Sequence, residues 1–194
     1  LANTTISGPG HLQIVPENSN FGSPLTVSGI NLTNSPKIGR LYLGKSGIST
    51  KLVLDADITT NGRIYNYMPT EVNGGDRSIS TTNDNINFYS TIDSDTTAAR
   101  SLTINSGNED ITINNSAAIG GSQPLNNLTI TAENLSAAAI KLNGELNATL
   151  SSVSTITGVI SNGASAANLV KAGNGTLTLS GANTYTGTTA VNDG

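Results

Sequence analysis

The residues able to do chemistry are few in this chain and widely spaced. Four carboxylates come as pairs two positions apart, Asp55/Asp57 and Asp93/Asp95. On an extended strand, side chains two apart share a face and stand ~7 Å from one another. That is near the separation at which an inverting glycosidase holds its acid and base. A general acid also needs burial or a like charge to keep its proton. Asp55 and Asp57 have Lys51 close in sequence and no histidine near, and Asp93/Asp95 fall in an expected loop. Both pairs read as solvated carboxylates. His11, the only histidine, follows the turn Gly8-Pro9-Gly10. A nucleophilic triad sets such a base beside an orienting acid and a hydroxyl or thiol. The chain has neither a Gly-x-Ser-x-Gly nor a Gly-Asp-Ser-Gly segment, and no catalytic residue is assigned.

Metal and ligand sites are similarly thin. Gly74-Gly75-Asp76 and Asp93-Ser94-Asp95 each supply a fragment of a calcium loop. The tandem copies or the bidentate Glu that would complete such a loop are missing, so neither a metal site nor a cofactor is expected. Arg63, Tyr65 and Tyr67 alternate along one segment, which places a cation and two aromatic rings on one strand face. They are the ligand-binding residues this reading puts forward, as a platform for a sugar ring. The competing reading is packing beneath a loop or against a neighbouring layer of chain.

The elements that carry these residues are strands. Asn, Ser and Thr make up more than a third of the 194 residues, with 21 Gly, and only 11% are charged. Thr suits strands, while Asn, Ser and Gly suit turns. Apolar residues recur two apart in segments such as 11–15, 25–30, 40–45, 51–58, 63–68, 101–106 and 139–146. Turn chemistry separates them, as at Gly22-Ser23-Pro24, Asn34-Ser35-Pro36 and Ser106-Gly107-Asn108. Only 9 basic residues, dispersed and outweighed to a net charge of −4, make no phosphate-tracking stripe, so nucleic acid is not an expected partner. The absence of Cys excludes a disulfide framework. No run approaches the ~18 apolar residues of a membrane-spanning helix.

The strands also repeat. Leu25-Thr26-Val27, Leu102-Thr103-Ile104, Ile111-Thr112-Ile113, Leu128-Thr129-Ile130 and Leu177-Thr178-Leu179 are one phrase, apolar-Thr-apolar. Its spacing fits coils of ~20–25 residues with loops of varying length. The clearest copy, GNGTLTLSGANTYTGTTAVNDG from Gly173 to Gly194 within residues 169–194, resembles the autotransporter-associated β-strand repeat of bacterial passenger regions. Thr188 and Ala190 depart from its usual Gly and Thr without changing the period. Residues 86–135 resemble the repeats of large filamentous-haemagglutinin-type exoproteins.

Short alternating strands, few aromatics and no Trp predict an all-β chain folded as a right-handed parallel β-helix, or β-solenoid, of about nine coils. A β-sandwich or tandem Ig-like pair is the alternative. Residues 1–194 read as one β-helical segment of a longer repeat protein, ending within a repeat at Asn192-Asp193-Gly194. The resemblances imply a structural or adhesive passenger segment of a bacterial surface-exposed or secreted exoprotein, exported by the type V route. Its partners would be host or neighbouring-cell surface molecules or glycans, or other copies of itself. A self-assembling extracellular fibre or matrix protein is the second reading, and a polysaccharide-processing β-helix enzyme the third.

Overall fold

The computed structural model describes residues 10–16, 20–32, 38–114 and 117–194, so the expected turns at Gly8-Pro9 and Asn34-Ser35-Pro36 lie outside the described residues. The chain winds as a parallel β-helix of about seven turns. Two eight-stranded sheets form the long walls. The first stacks the strands Gly10–Ile14, Ile38–Leu43, Arg63–Asn66, Ile86–Phe88, Ile111–Ile113, Leu135–Ala137, Ser154–Ile156 and Leu177–Leu179. The other long wall runs from Ile30–Leu32 to Thr189–Val191. Between them lies a shorter wall of four strands, from Leu25–Val27 to Ile92–Ser94. Single bridges from Ile92 to Ile119 and from Ile119 to Ile140 carry it on to the pair Ile140–Leu142 and Ile160–Asn162. Every ladder among the described residues is parallel. The antiparallel pairing of a sandwich is absent from them.

Two expectations need correction. Partners on adjacent coils lie as few as 18 residues apart, as at Asn127 and Glu145, and as many as 30, as at Asp93 and Gln123. The longer coils spend residues in loops, so the chain completes fewer turns than nine. Several alternating segments also contain a corner. Residues 51–58 divide into Leu52–Leu54 and Ile58–Thr60, and residues 25–30 divide at Gly29. The alternation survives the bend because Leu52, Leu54 and Ile58 all remain inside. Asp55 and Asp57 therefore sit at a corner between walls, and not on a strand.

The interior is built by stacking like on like. In the long wall opposite the tyrosines, Ile30, Ile58, Ile79, Ile104 and Ile130 follow one another in register, and all are buried. Each buried side chain of this kind contributes about 1.5–3 kcal/mol. The row continues with Ala148 and then with Lys171, which is 5% exposed. A buried ammonium is costly unless it is hydrogen-bonded. Lys171 Nζ donates to the carbonyl oxygens of Ala172 (3.0 Å), Gly173 (2.6 Å) and Asp193 (3.0 Å), which use all three of its protons.

Corners explain the abundance of Asn. Side-chain oxygens of Asn or Asp accept backbone N–H groups of the next coil where the wall pairing lapses: Asn127 from Glu145 (2.8 Å), Asn143 from Ala164 (2.6 Å), Asn168 from Thr188 (2.8 Å) and Asp76 from Ser101 (2.8 Å). These bonds satisfy main-chain donors that a corner would otherwise leave without partners.

Candidate functional site

The outward side of the first wall carries three parallel rows of side chains across its first coils. His11, Arg40 and Arg63 make one row. Gln13, Tyr42, Tyr65 and Asn87 make the next. The last row lies just past the strand ends. The amides of Gly44, Tyr67 and Tyr89 donate to Ile14, Leu43 and Asn66 (2.8, 2.9 and 2.8 Å), which aligns Val15, Gly44, Tyr67 and Tyr89. Successive coils repeat every ~4.8 Å, so identical side chains in register meet face to face. Tyr42 and Tyr65 stack at 4.8 Å and 8°, and Tyr67 and Tyr89 at 4.5 Å and 7°. His11 meets Tyr42 edge-on at 5.6 Å and 77°. Four of the five tyrosines and the only histidine thus share one patch.

The structure brings Arg63, Tyr65 and Tyr67 together, as expected, and shows what occupies them. Arg63 Nε donates to Asp84 Oδ1 (3.0 Å), and its other nitrogens reach the Tyr65 hydroxyl (3.4 Å) and Asn85 Oδ1 (3.5 Å). The bond to Tyr65, then that to Asp84, holds the guanidinium above its ordinary value. Burial, followed by the neighbouring Tyr89, pushes the Tyr67 phenol up. Tyr42 and Tyr65 each cover one face of the other. Sequence reasoning missed Tyr42 and Tyr89. The signal for Tyr42 was present, because Arg40-Leu41-Tyr42 recurs as Arg63-Ile64-Tyr65.

The paired carboxylates have structural partners. Asp55 meets Arg77 at 3.4 Å, and Asp57 accepts the Ser78 amide at 2.7 Å; both acids are exposed. Asp93 accepts the amides of Ser122 (2.8 Å) and Gln123 (3.0 Å). Asp95 departs from the solvated reading, being 5% exposed. It takes Arg100 Nε at 2.7 Å, the amides of Thr97 and Ala98 at 2.7 and 3.0 Å, and the Thr97 hydroxyl. Burial alone would raise its pKa. The Thr97 hydroxyl, Arg100 and the two amides outweigh burial and hold Asp95 well below the usual carboxylate range. Asp76, from the expected calcium-loop fragment, accepts the Ser101 amide instead. Among the described residues, no three of His, Cys, Asp or Glu gather as a metal set.

Residues 169–194 match the passenger-associated-transport-repeat family. No match to the chain was found among curated proteins or among solved structures. The matched stretch covers the last strands of both long walls and leaves the haemagglutinin-type resemblance of residues 86–135 as an expectation. The repeat and the β-helix together fit the passenger of an autotransporter, a surface-exposed or extracellular protein.

Proposed function

We propose that the chain is a rigid stalk segment of a longer, adhesin-like bacterial exoprotein exported by the type V route. Its β-helix would hold the outward face of the first wall away from the cell, where it contacts host or neighbouring-cell surface molecules. The observation that carries this reading is continuity. The repeat-matching residues extend the same ladders as the rest, with Leu177 registered on Ser154 and Thr189 on Leu169. A chain built as one stack of coils resists bending along its axis, because every backbone step is tied to the next coil. The tyrosine and arginine patch supplies contact chemistry of the kind enriched at interfaces.

The reading is tested by fusing residues 1–194 between an export signal and an outer-membrane barrel. Expected are display on intact bacteria, removal by external protease, and adhesion to glycan-coated or cell-coated surfaces above that of the barrel alone. Retention inside the cell would refute the export reading. Display without adhesion would leave a stalk and remove the adhesive role. Filaments formed by the purified chain on concentration would favour the extracellular fibre.

A further inference from the structure

The outermost tyrosine row has a missing rung. Val15, Gly44, Tyr67 and Tyr89 lie one above another, and Gly44 contributes no side chain. One face of Tyr67 is covered by Tyr89, and the other looks toward the coil of Gly44. Below the gap, Val15 stays 41% exposed, one of the few large apolar side chains so open among the described residues. The result is a notch of about 270 Å³, lined by Gln13, Val15, Tyr42, Lys45, Ser46 and Tyr67 around Gly44. Gly44 cannot be filled by ordinary substitution. Its φ is +73°, and a β-carbon there would lie 2.5 Å from Met68 Cγ.

We propose that this notch binds one pyranose ring, with acidic sugars preferred. The proposal names a ligand class for the adhesive patch and takes its biological setting from the surface reading above. Two rungs span ~9.6 Å. A ring seated between Tyr67 and Val15 needs ~3.5–4 Å of contact distance on each side, so one ring fits and two do not. A pyranose presents C–H bonds to the open Tyr67 face, and its rim hydroxyls face Gln13, Ser46 and the Tyr42 edge. An aromatic side chain would use the Tyr67 face alone and leave those polar groups idle. Charge decides the preference among sugars. Lys45 is exposed and donates to the Pro16 carbonyl at 3.4 Å, and among the described residues no carboxylate lines the notch.

The chain has no Trp, and four of its five tyrosines belong to this patch, so tyrosine fluorescence reports on it directly. The purified chain is titrated with methyl β-D-glucuronide, methyl β-D-glucoside and p-cresol, the last followed by saturation-transfer NMR because its own emission coincides with that of tyrosine. Expected are saturable responses to both sugars at millimolar concentrations, tighter for the glucuronide. Lys45→Gln is expected to weaken glucuronide by about fivefold at low salt while sparing the glucoside. Tyr67→Leu, which keeps the site apolar, is expected to abolish both. Lys45 is exposed, so its variant stays informative even if Tyr67→Leu fails to fold. The proposal is overturned by no response to either sugar, by sugar binding that a folded Tyr67→Leu leaves intact, or by p-cresol binding where the sugars do not. Glucuronide binding indifferent to Lys45→Gln overturns the acidic preference. A chain displayed on cells that binds no sugar removes the notch and leaves the export reading standing.

Discussion

The first wall presents two different surfaces on one backbone. In the early coils its central outward row reads Gln13, Tyr42, Tyr65, Asn87, beside arginines and a second tyrosine pair. From there the same row reads Thr112, Ser136, Thr155, Thr178. The interior changes less, and turns polar only further on, at Ser154. Ile64, Ile86 and Ile111 stack inside that wall and are fully buried, with Leu135 next in register. The difference teaches that the inward half of the alternation sets the fold, and the outward half is free to vary. In-register stacking then multiplies whatever is placed there, because a residue type repeated once per coil becomes a continuous row.

If the two regions share one scaffold, deleting core volume should cost each of them the same. Ile64→Ala, beneath the tyrosines, and Ile111→Ala, beside the hydroxyl row that begins at Thr112, are each expected to lose about 3 kcal/mol in urea unfolding. A large loss at one site and a negligible one at the other would break the comparison.

The next effect lies near where the regions meet. Asp95 is bound by Arg100 and the Thr97 and Ala98 amides, just after the last strand of the four-stranded wall. Its folded pKa is depressed below the unfolded carboxylate value of about 3.9. Its contribution is therefore fully present above about pH 4 and is lost as pH falls from there toward the folded value. About 2 kcal/mol is expected to disappear in that window. Asp95→Asn should be less stable at neutral pH and should lack that part of the acid slope. An unchanged slope would count against the buried pair.

The outward surfaces should then differ. Tyr65→Ala removes the stack on Tyr42 and the bond to Arg63, for an expected loss of about 1–1.5 kcal/mol. Thr155→Ala, in the same row on the hydroxyl side, should stay within about 0.5 kcal/mol. Equal effects would mean that tyrosine stacking adds nothing to the fold. Smallest is the ion pair of Lys51 with Glu71 across the shorter wall. Lys51 is half exposed, so Lys51→Gln should cost no more than about 0.5 kcal/mol and vanish at high salt.

Much of the fold was legible because alternation is local. Leu102-Thr103-Ile104 or Leu128-Thr129-Ile130 declares which side faces in without reference to any neighbour. Even the Ala-rich stretch 136–140, which has helical propensity, is taken up by the strand Leu135–Ala137 and the corner before Ile140–Leu142, with Ala137 and Ala138 buried. The candidate site was half legible. Arg63, Tyr65 and Tyr67 could be placed on one face from their spacing, but the rings covering them come from coils more than twenty residues away, Tyr42 on Tyr65 and Tyr89 on Tyr67. Lys171 and Asp95 were misread or unread for a different reason. Most of their partners are near in sequence, Ala172 and Gly173 for Lys171 and Thr97, Ala98 and Arg100 for Asp95, but the turns that aim those groups form only in the fold, and Asp193 reaches Lys171 from the next coil.

By itself the sequence determined a repeating all-β chain, its inward and outward sides and its resemblance to passenger repeats, since these depend on residues within one coil. Register between coils was decided by the tertiary structure alone. Loops of unequal length separate residues that end up ~4.8 Å apart, and apart from a repeated phrase such as Arg40-Leu41-Tyr42 and Arg63-Ile64-Tyr65 no local pattern records which rung lies over which. The stacked tyrosines, the bare rung at Gly44 and the ammonium buried among carbonyls all depend on that register.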